Sequence, residues 1–455
     1  MQLIRDRHFY ALLISLALPL ALQDLIKFGL NLMDNIMVGA LGEVSLSAVS
    51  LANQPFFLFS MFCFGLAGGG TVLITQYFGK NDMASVRRVV SITVSITLTA
   101  SVLIGALVLL FPRAVMSIYT PDPDLIAIGA EYLKITGWTY FLFGVSNTLV
   151  LMLRSVQVVR ITLVANCLSF VTNVFLNWVL IFGKLGAPAL GVKGAAIATL
   201  SARALEFVIL LLYVRFFDKK LAFRLRSLFH FHPALTKDFL HYSTPVLFNE
   251  FGWGLGISLI SVVLGRLGTD AVAAGSIAST VQQVATVFIF GVCNAACIMV
   301  GKDIGAGNIE RAKRTAHTLL AVSMTLGMVL GTALFLLRPA VLSLYDLSAS
   351  TRAMSMSFLI VTSCIVFVDS VSTLAIVGVL RGGGDTRYSM LVDVLTLWLL
   401  SIPAGMLAGL VFKWDPILVY VILRSDVLLK AILCFRRVVS NKWVHSVTRD
   451  LSPNK

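Results

Sequence analysis

Apolar runs of about 20 residues or more follow one another along nearly the whole chain, separated by short charged or Gly/Pro-rich punctuation. A helix that crosses a bilayer needs roughly 20 mainly apolar residues, and the punctuation divides the chain into twelve such segments. They are predicted at 9–38, 44–78, 86–111, 125–150, 160–182 and 192–216, then at 238–264, 270–301, 312–337, 351–379, 388–412 and 416–435. Composition points the same way. The 455 residues are 58% apolar and 13% charged, whereas soluble domains carry about 25% charged residues. There is too little polar material to coat a globule of this size. A large soluble enzyme, a disordered chain and a disulfide scaffold are thereby excluded. The first run follows Arg5 and Arg7 as a signal peptide would, but it continues past Pro19 to Val38 with no small-residue cleavage site. It reads as a retained span.

Only one connection is both long and polar. It runs over 217–237 and holds Asp218, Lys219, Lys220, Arg224, Arg226, His230 and His232. The expected organisation is an N-terminal six-helix lobe (1–216), a cytoplasmic linker (217–237) and a C-terminal six-helix lobe with a short basic tail (238–455). Lys and Arg number 36 against 22 acids, a net charge of +14. With the N-terminus inside, 24 basic residues fall in cytoplasmic loops and tails and 7 on the other side. Positively charged loops stay inside, so both termini are predicted to be cytoplasmic, in the plasma (bacterial inner) membrane. The charge is thus an orientation signal, and no basic stripe interleaved with aromatics suggests nucleic acid as a partner.

The sequence also repeats itself at an offset of 226. Pro19 meets Pro245, Asp24 meets Glu250, Gly39 meets Gly265 and Gly79 meets Gly305. One inserted residue later, Leu153-Arg154 meets Leu380-Arg381. Six spans per half place both halves the same way round in the membrane, so the fold class is an all-α polytopic membrane protein. Its two six-helix lobes are expected to be related by a pseudo-two-fold axis along the membrane normal, an arrangement of transporters.

Ionisable groups inside the hydrocarbon need a reason, because each costs roughly 2.5–3.5 kcal/mol on insertion scales. Asp24 with Lys27, Arg203 with Glu206, and Asp426 with Lys430 lie three or four residues apart and can neutralise each other on one helix face. Asp34, Glu250, Asp369 and Asp393 have no basic neighbour in sequence. A lone carboxylate in such a setting takes up a proton or binds a cation. Asn166, Asn173 and Asn177 share a helix face. With Asp34 in the same lobe they suggest a hydrated cation site, interhelical hydrogen bonding being the plainer alternative. Pro19, Pro245 and Gly68-Gly69-Gly70 are hinges or packing features, and the sequence does not choose between them. The six cysteines lie in apolar runs, and the six histidines fall at span ends or in loops. No metal cluster, disulfide framework, P-loop or nucleophile–base constellation is legible. The chain is expected not to be an enzyme and to need no cofactor beyond a coupling ion.

Four stretches carry a family resemblance. They are Met33-Asp34-Asn35-Ile36-Met37-Val38-Gly39 with Leu41-Gly42; Leu380-Arg381-Gly382-Gly383-Gly384-Asp385-Thr386-Arg387; Gly305-Ala306-Gly307-Asn308; and Gly191-Val192 with Gly194-Ala195-Ala196 and Ala198-Thr199. Together they resemble the multidrug and toxic compound extrusion (MATE) family over the whole chain. The resemblance implies export of amphipathic, often cationic, organic compounds against inward H⁺ or Na⁺ by rocking of the two lobes; the protein is separately expected to function as a monomer. It implies that Asp34 is the acid of an N-terminal-lobe cation site shared with Asn147, Asn173, Asn177 and Thr199, and that the first helix bends near Pro19. Several relatives carry Asp where this chain has Asn177, leaving one carboxylate fewer. In the C-terminal lobe, Glu250 and Asp369 fall near acidic positions of one branch, Asp393 joins them as a candidate, and Asp426 with Lys430 is expected to bridge helices. A lipid or lipid-linked saccharide flippase is the alternative of related architecture, and it would call for more cationic residues around the cleft.

Overall fold

A computed structural model describes residues 3–218, 220–221, 223, 228–345 and 347–449. Lys219, Arg224, Arg226 and Lys455, counted above among the cytoplasmic charges, lie outside the described residues. Among the described residues every regular element is a helix. The first half runs α1 (Arg7–Gly39), α2 (Glu43–Gly79), α3 (Met83–Leu110), the short α4 (Pro112–Ser117), α5 (Pro123–Ser155), α6 (Arg160–Phe182) and α7 (Val192–Leu212). The second runs α8 (Pro233–Leu267), α9 (Thr269–Gly305), α10 (Ile309–Leu342), α11 (Ala349–Thr373), α12 (Thr386–Leu395), α13 (Ile402–Met406), α14 (Pro416–Leu423) and α15 (Asp426–Val439). Wide π-helical turns extend α7 to Phe217 and α11 to Leu380, and join α12 and α13 into one rod ending at Val411.

Local chemistry sets the ends. Asp82 accepts from the Ser85 amide at the start of α3, and Asp122 followed by Pro123 opens α5. An aspartate at the N-cap satisfies amides that the first turn leaves free, and proline fits the position after it. Gly183, at φ 67°, closes α6 in the left-handed conformation that glycine tolerates.

The 226-residue register, visible in sequence over part of each half, extends through the helix limits. Glu43–Gly79 and Thr269–Gly305 begin and end 226 residues apart, and α3, α5 and α6 start 226 residues before α10, α11 and α12. Among the described residues eleven helices are long and apolar enough to cross a membrane. The twelfth segment differs from its sequence-based limits: it is broken into α14 and α15 at Arg424-Ser425. Ser401 Oγ donates to the Leu423 carbonyl and Ser425 Oγ to that of Ile422 at 2.7 Å. Freed carbonyls in hydrocarbon require such partners, which is why the break is tolerated.

Contacts divide the chain into two compact units. One comprises 1–21, 75–81 and 248–455; the other comprises 22–74 and 82–247. The first is called the C-unit below and the second the N-unit. Each unit thus takes a piece from the other half of the sequence. The divisions in α1 and α8 fall after Ala21 and Leu247, equivalent positions two residues past Pro19 and Pro245. Small residues bring helices close within each unit. In the C-unit, a side chain at Gly331 would meet the Ser363 carbonyl, and one at Gly327 would strike Ser370. In the N-unit, Gly69 lies against the backbone of Ser243 and Gly70 against Thr93. Close backbone approach is what small residues provide in apolar bundles, and it gives Gly69 and Gly70 a packing role.

Candidate functional site

In the N-unit a short polar chain links three helices. Asn177 Nδ2 on α6 donates to Asp34 Oδ1 on α1 at 2.5 Å and to Asn173 Oδ1 at 3.1 Å. Asn173 Nδ2 reaches Thr199 Oγ1 on α7 at 3.4 Å. The spacing of four between Asn173 and Asn177 stacks them on one helix face, and the cluster is assembled by packing α6 against α1 and α7. Asn177 Oδ1 is buried and has no hydrogen-bond partner among the described residues. Among the expected members, Asp34, Asn173, Asn177 and Thr199 are brought together. Two amides are not. Asn166 donates to the Thr162 carbonyl of its own helix at 2.7 Å, and Asn147 Nδ2 is buried without a partner. Tyr132 was not singled out by sequence; its hydroxyl lies 3.5 Å from Asn53 Oδ1 and also meets Thr199. A tyrosine in an apolar α5 gives no sequence signal of that kind.

A second polar group lies in the same unit. Asp24 and Lys27 are 3.9 Å apart, and Arg203 pairs with Glu206 at 2.9 Å, so both expected neutral pairs form. Arg154 joins them. It was counted in sequence as a loop charge, yet it is 5% exposed at the end of α5. Its Nε donates to Gln23 Oε1 at 3.1 Å, and its Nη2 donates to the same oxygen. Phe64 and Phe143 lie under Lys27 and Arg203 at 5.3 and 5.2 Å.

The C-unit holds a longer network. Arg381 Nη2 reaches Glu250 Oε1 at 2.8 Å and Asn249 Oδ1 at 2.7 Å. Asn249 Nδ2 donates to Asp393 Oδ2 at 2.6 Å. Lys430 then bridges Asp393 and Asp426 at 2.6 and 2.7 Å, joining α15 to α12. This corrects the reading of Glu250 and Asp393 as acids without a basic partner, because their partners lie 131 and 37 positions away in sequence, beyond the reach of a local spacing rule. Asp369 stands apart, accepting from Ser372 Oγ and Thr373 Oγ1 on its own helix at 3.0 and 3.1 Å. The repeat contained the missed signal. Gln23 and Asn249 are 226 apart, and Arg154 and Arg381 are the matched arginines of Leu153-Arg154 and Leu380-Arg381. Each unit therefore clasps an amide, just past its helix division, with an arginine from the end of the fourth span of its half of the sequence.

The family model MatE matches residues 19–179 and again 245–407. The chain belongs to the MatE family. The two matches start at Pro19 and Pro245, so family and internal repeat share one register. A relative from Rhizobium meliloti (strain 1021), named "Probable multidrug resistance protein NorM", is 29% identical over 399 residues, covering 86% of this chain and 84% of its own. Two solved structures share the fold. A MATE in the bent conformation has a TM-score of 0.86 at 18% identity, covering 97% of this chain and 99% of its own. A MATE in the straight conformation has a TM-score of 0.85 at 19% identity, covering 95% and 96%.

Proposed function

We propose that this MatE protein is a secondary antiporter that exports amphipathic, cationic organic compounds in exchange for H⁺ or Na⁺. It works by alternating access, as a carrier and not an enzyme. The observation that supports this most is the chain Asp34–Asn177–Asn173–Thr199 inside the N-unit. The multidrug-resistance name of the relative supports the substrate class. With Asp34 ionised, the Asn177 amide N–H is held by a charge-assisted bond, the stronger kind. A proton on Asp34 removes that charge and turns one carboxylate oxygen into a donor. The unpartnered Asn177 Oδ1 is the acceptor at hand, so loading favours rotation of the Asn177 amide and breaks its link to Asn173. Na⁺ would act through the same oxygens, which suit a hard cation. Either ion changes how α1 is tied to α6 beyond Pro19, a local charge event that can bias a two-state element.

The loop charges support both termini on the cytoplasmic side of a bacterial inner membrane, where the protein is read as working as a monomer. The flippase reading has one observation in its favour, the basic group Lys27, Arg154 and Arg203, but Asp24 and Glu206 neutralise two of its three charges. Export is tested in liposomes containing the purified protein, by following tetraphenylphosphonium under an imposed pH or Na⁺ gradient. Movement under one gradient supports the antiporter. Movement under neither contradicts it.

A further inference from the structure

Two of the family-like motifs, Leu380–Arg387 and Gly305–Asn308, take no part in the N-unit site, yet the C-unit brings them together around one side chain. Gln76, fully buried near the end of α2, is the hub. Its Nε2 donates to the Gly382 carbonyl and to the His445 carbonyl, both at 3.1 Å, and its Oε1 accepts from the Val447 amide at 2.9 Å. The segment after α15 is thereby strapped across the end of α2. The Arg449 amide donates to the Tyr77 hydroxyl at 3.1 Å, and the His445 amide to the Gly383 carbonyl at 2.8 Å.

The glycines are the bed of this strap. Trp443 is fully buried where a side chain on Gly383 would stand, and Val447 covers Gly384, whose φ of 80° suits glycine. Gly305 meets the backbone of Gln76 so closely that a Cβ would collide with it. The arrangement matters because α2 is divided. Its residues 43–74 belong to the N-unit, and 75–79 to the C-unit, whose piece runs on to 81. Gln76 lies two residues past that division.

We propose that the C-terminal strap, Trp443 to Arg449, is a latch that fastens the end of α2 into the C-unit and is released during the transport cycle. Gln76 and the strap satisfy each other's buried polar groups. Losing one partner leaves the other unsatisfied, and an orphaned buried group is costly. Strap and helix end are therefore coupled, and they leave together or not at all. The glycine run Gly382-Gly383-Gly384 is, on this account, a docking groove for the chain's own C-terminal segment.

The latch rests in part on the export reading, and the experiment separates the two. Hydrogen exchange is measured on the full protein and on a chain ending at Ser446, which keeps Trp443 and loses the Val447 and Arg449 donors. In the shortened chain the amides of 76–81 should exchange about tenfold or more faster, while those of 293–300 stay protected. Gln76→Leu should likewise expose the strap amides. In the full protein, saturating tetraphenylphosphonium should deprotect 76–81 and 443–449 by the same factor. Unchanged protection of 76–81 in the shortened chain would overturn the latch. So would strap protection that stays fixed while the compound is being exported, because that describes a static brace. The shortened-chain comparison needs no ligand, so failure of export is read separately from failure of the latch.

Discussion

Among the described residues Asp34 has one side-chain hydrogen-bond partner, Asn177, at 2.5 Å. That economy makes residue-scale predictions sharp. Asn177→Asp would add a second carboxylate beside Asp34, and hard-cation sites strengthen with carboxylate number. Na⁺ stimulation of transport, titrated in vesicles, should then saturate at about tenfold lower Na⁺ or less. In the C-unit, Lys430 is the one cation paired with Asp393 and Asp426 among the described residues, and Asp426 Oδ1 has no hydrogen-bond partner there. Removing one member of a buried ion group costs about 3–5 kcal/mol. Lys430→Met should therefore lower the thermal midpoint in detergent markedly, whereas a substitution of the exposed Lys193 should not. At this scale the sequence was half legible. Asp34 and the stacked amides stood out because carboxylates and amides are rare in apolar helices and because spacing of four is a local rule. Glu250 and Asp393 were misread because Arg381 and Lys430 reach them only through tertiary packing. Arg154 was misread because a helix end in sequence looks like a loop.

At the scale of elements, the repeated clasp is the feature with the clearest consequence. Gln23–Arg154 and Asn249–Arg381 hold α1 and α8 just beyond Pro19 and Pro245, at equivalent positions. A proline removes one helical hydrogen bond and permits a bend, and an anchor beyond it fixes which segment moves. Arg154→Ala should leave Gln23 buried without its main donor, a loss of roughly 1–3 kcal/mol. Arg154→Lys should recover little of it, since an ammonium cannot reproduce two guanidinium donors on one oxygen. Thermal unfolding of the three proteins checks the order. Helix existence was legible nearly everywhere, because each span advertises itself by hydropathy alone. The break between α14 and α15 was not: the predicted span 416–435 runs straight through it, and the partners of the freed carbonyls are Ser425 and Ser401, the latter a residue of another helix.

For the whole molecule, the 226-residue register relates helix limits, the two prolines, the clasps and the starts of the two family matches. The halves nonetheless differ in their chemistry. The N-unit leaves Asp34 without a basic partner in ion-pairing distance among the described residues, while the C-unit ties Glu250, Asp393 and Asp426 into a network with Arg381 and Lys430. Duplication explains the shared frame, and divergence of a few polar residues makes one unit the candidate for ion coupling. Sequence could show the duplication because matched residues keep their spacing. It could not show that α1, α2 and α8 each divide between compact units, since that depends on which surfaces pack.

The central claim is that Asp34 carries the coupling ion. It is tested most directly by measuring substrate-dependent counterflow of ²²Na⁺, or of protons with an internal pH dye, in liposomes containing either the unaltered protein or Asp34→Asn. The account predicts that tetraphenylphosphonium export draws one of the two ions the other way, and that the variant inserts normally but shows neither flux. Full counterflow in Asp34→Asn would contradict it and move the coupling site to the C-unit network.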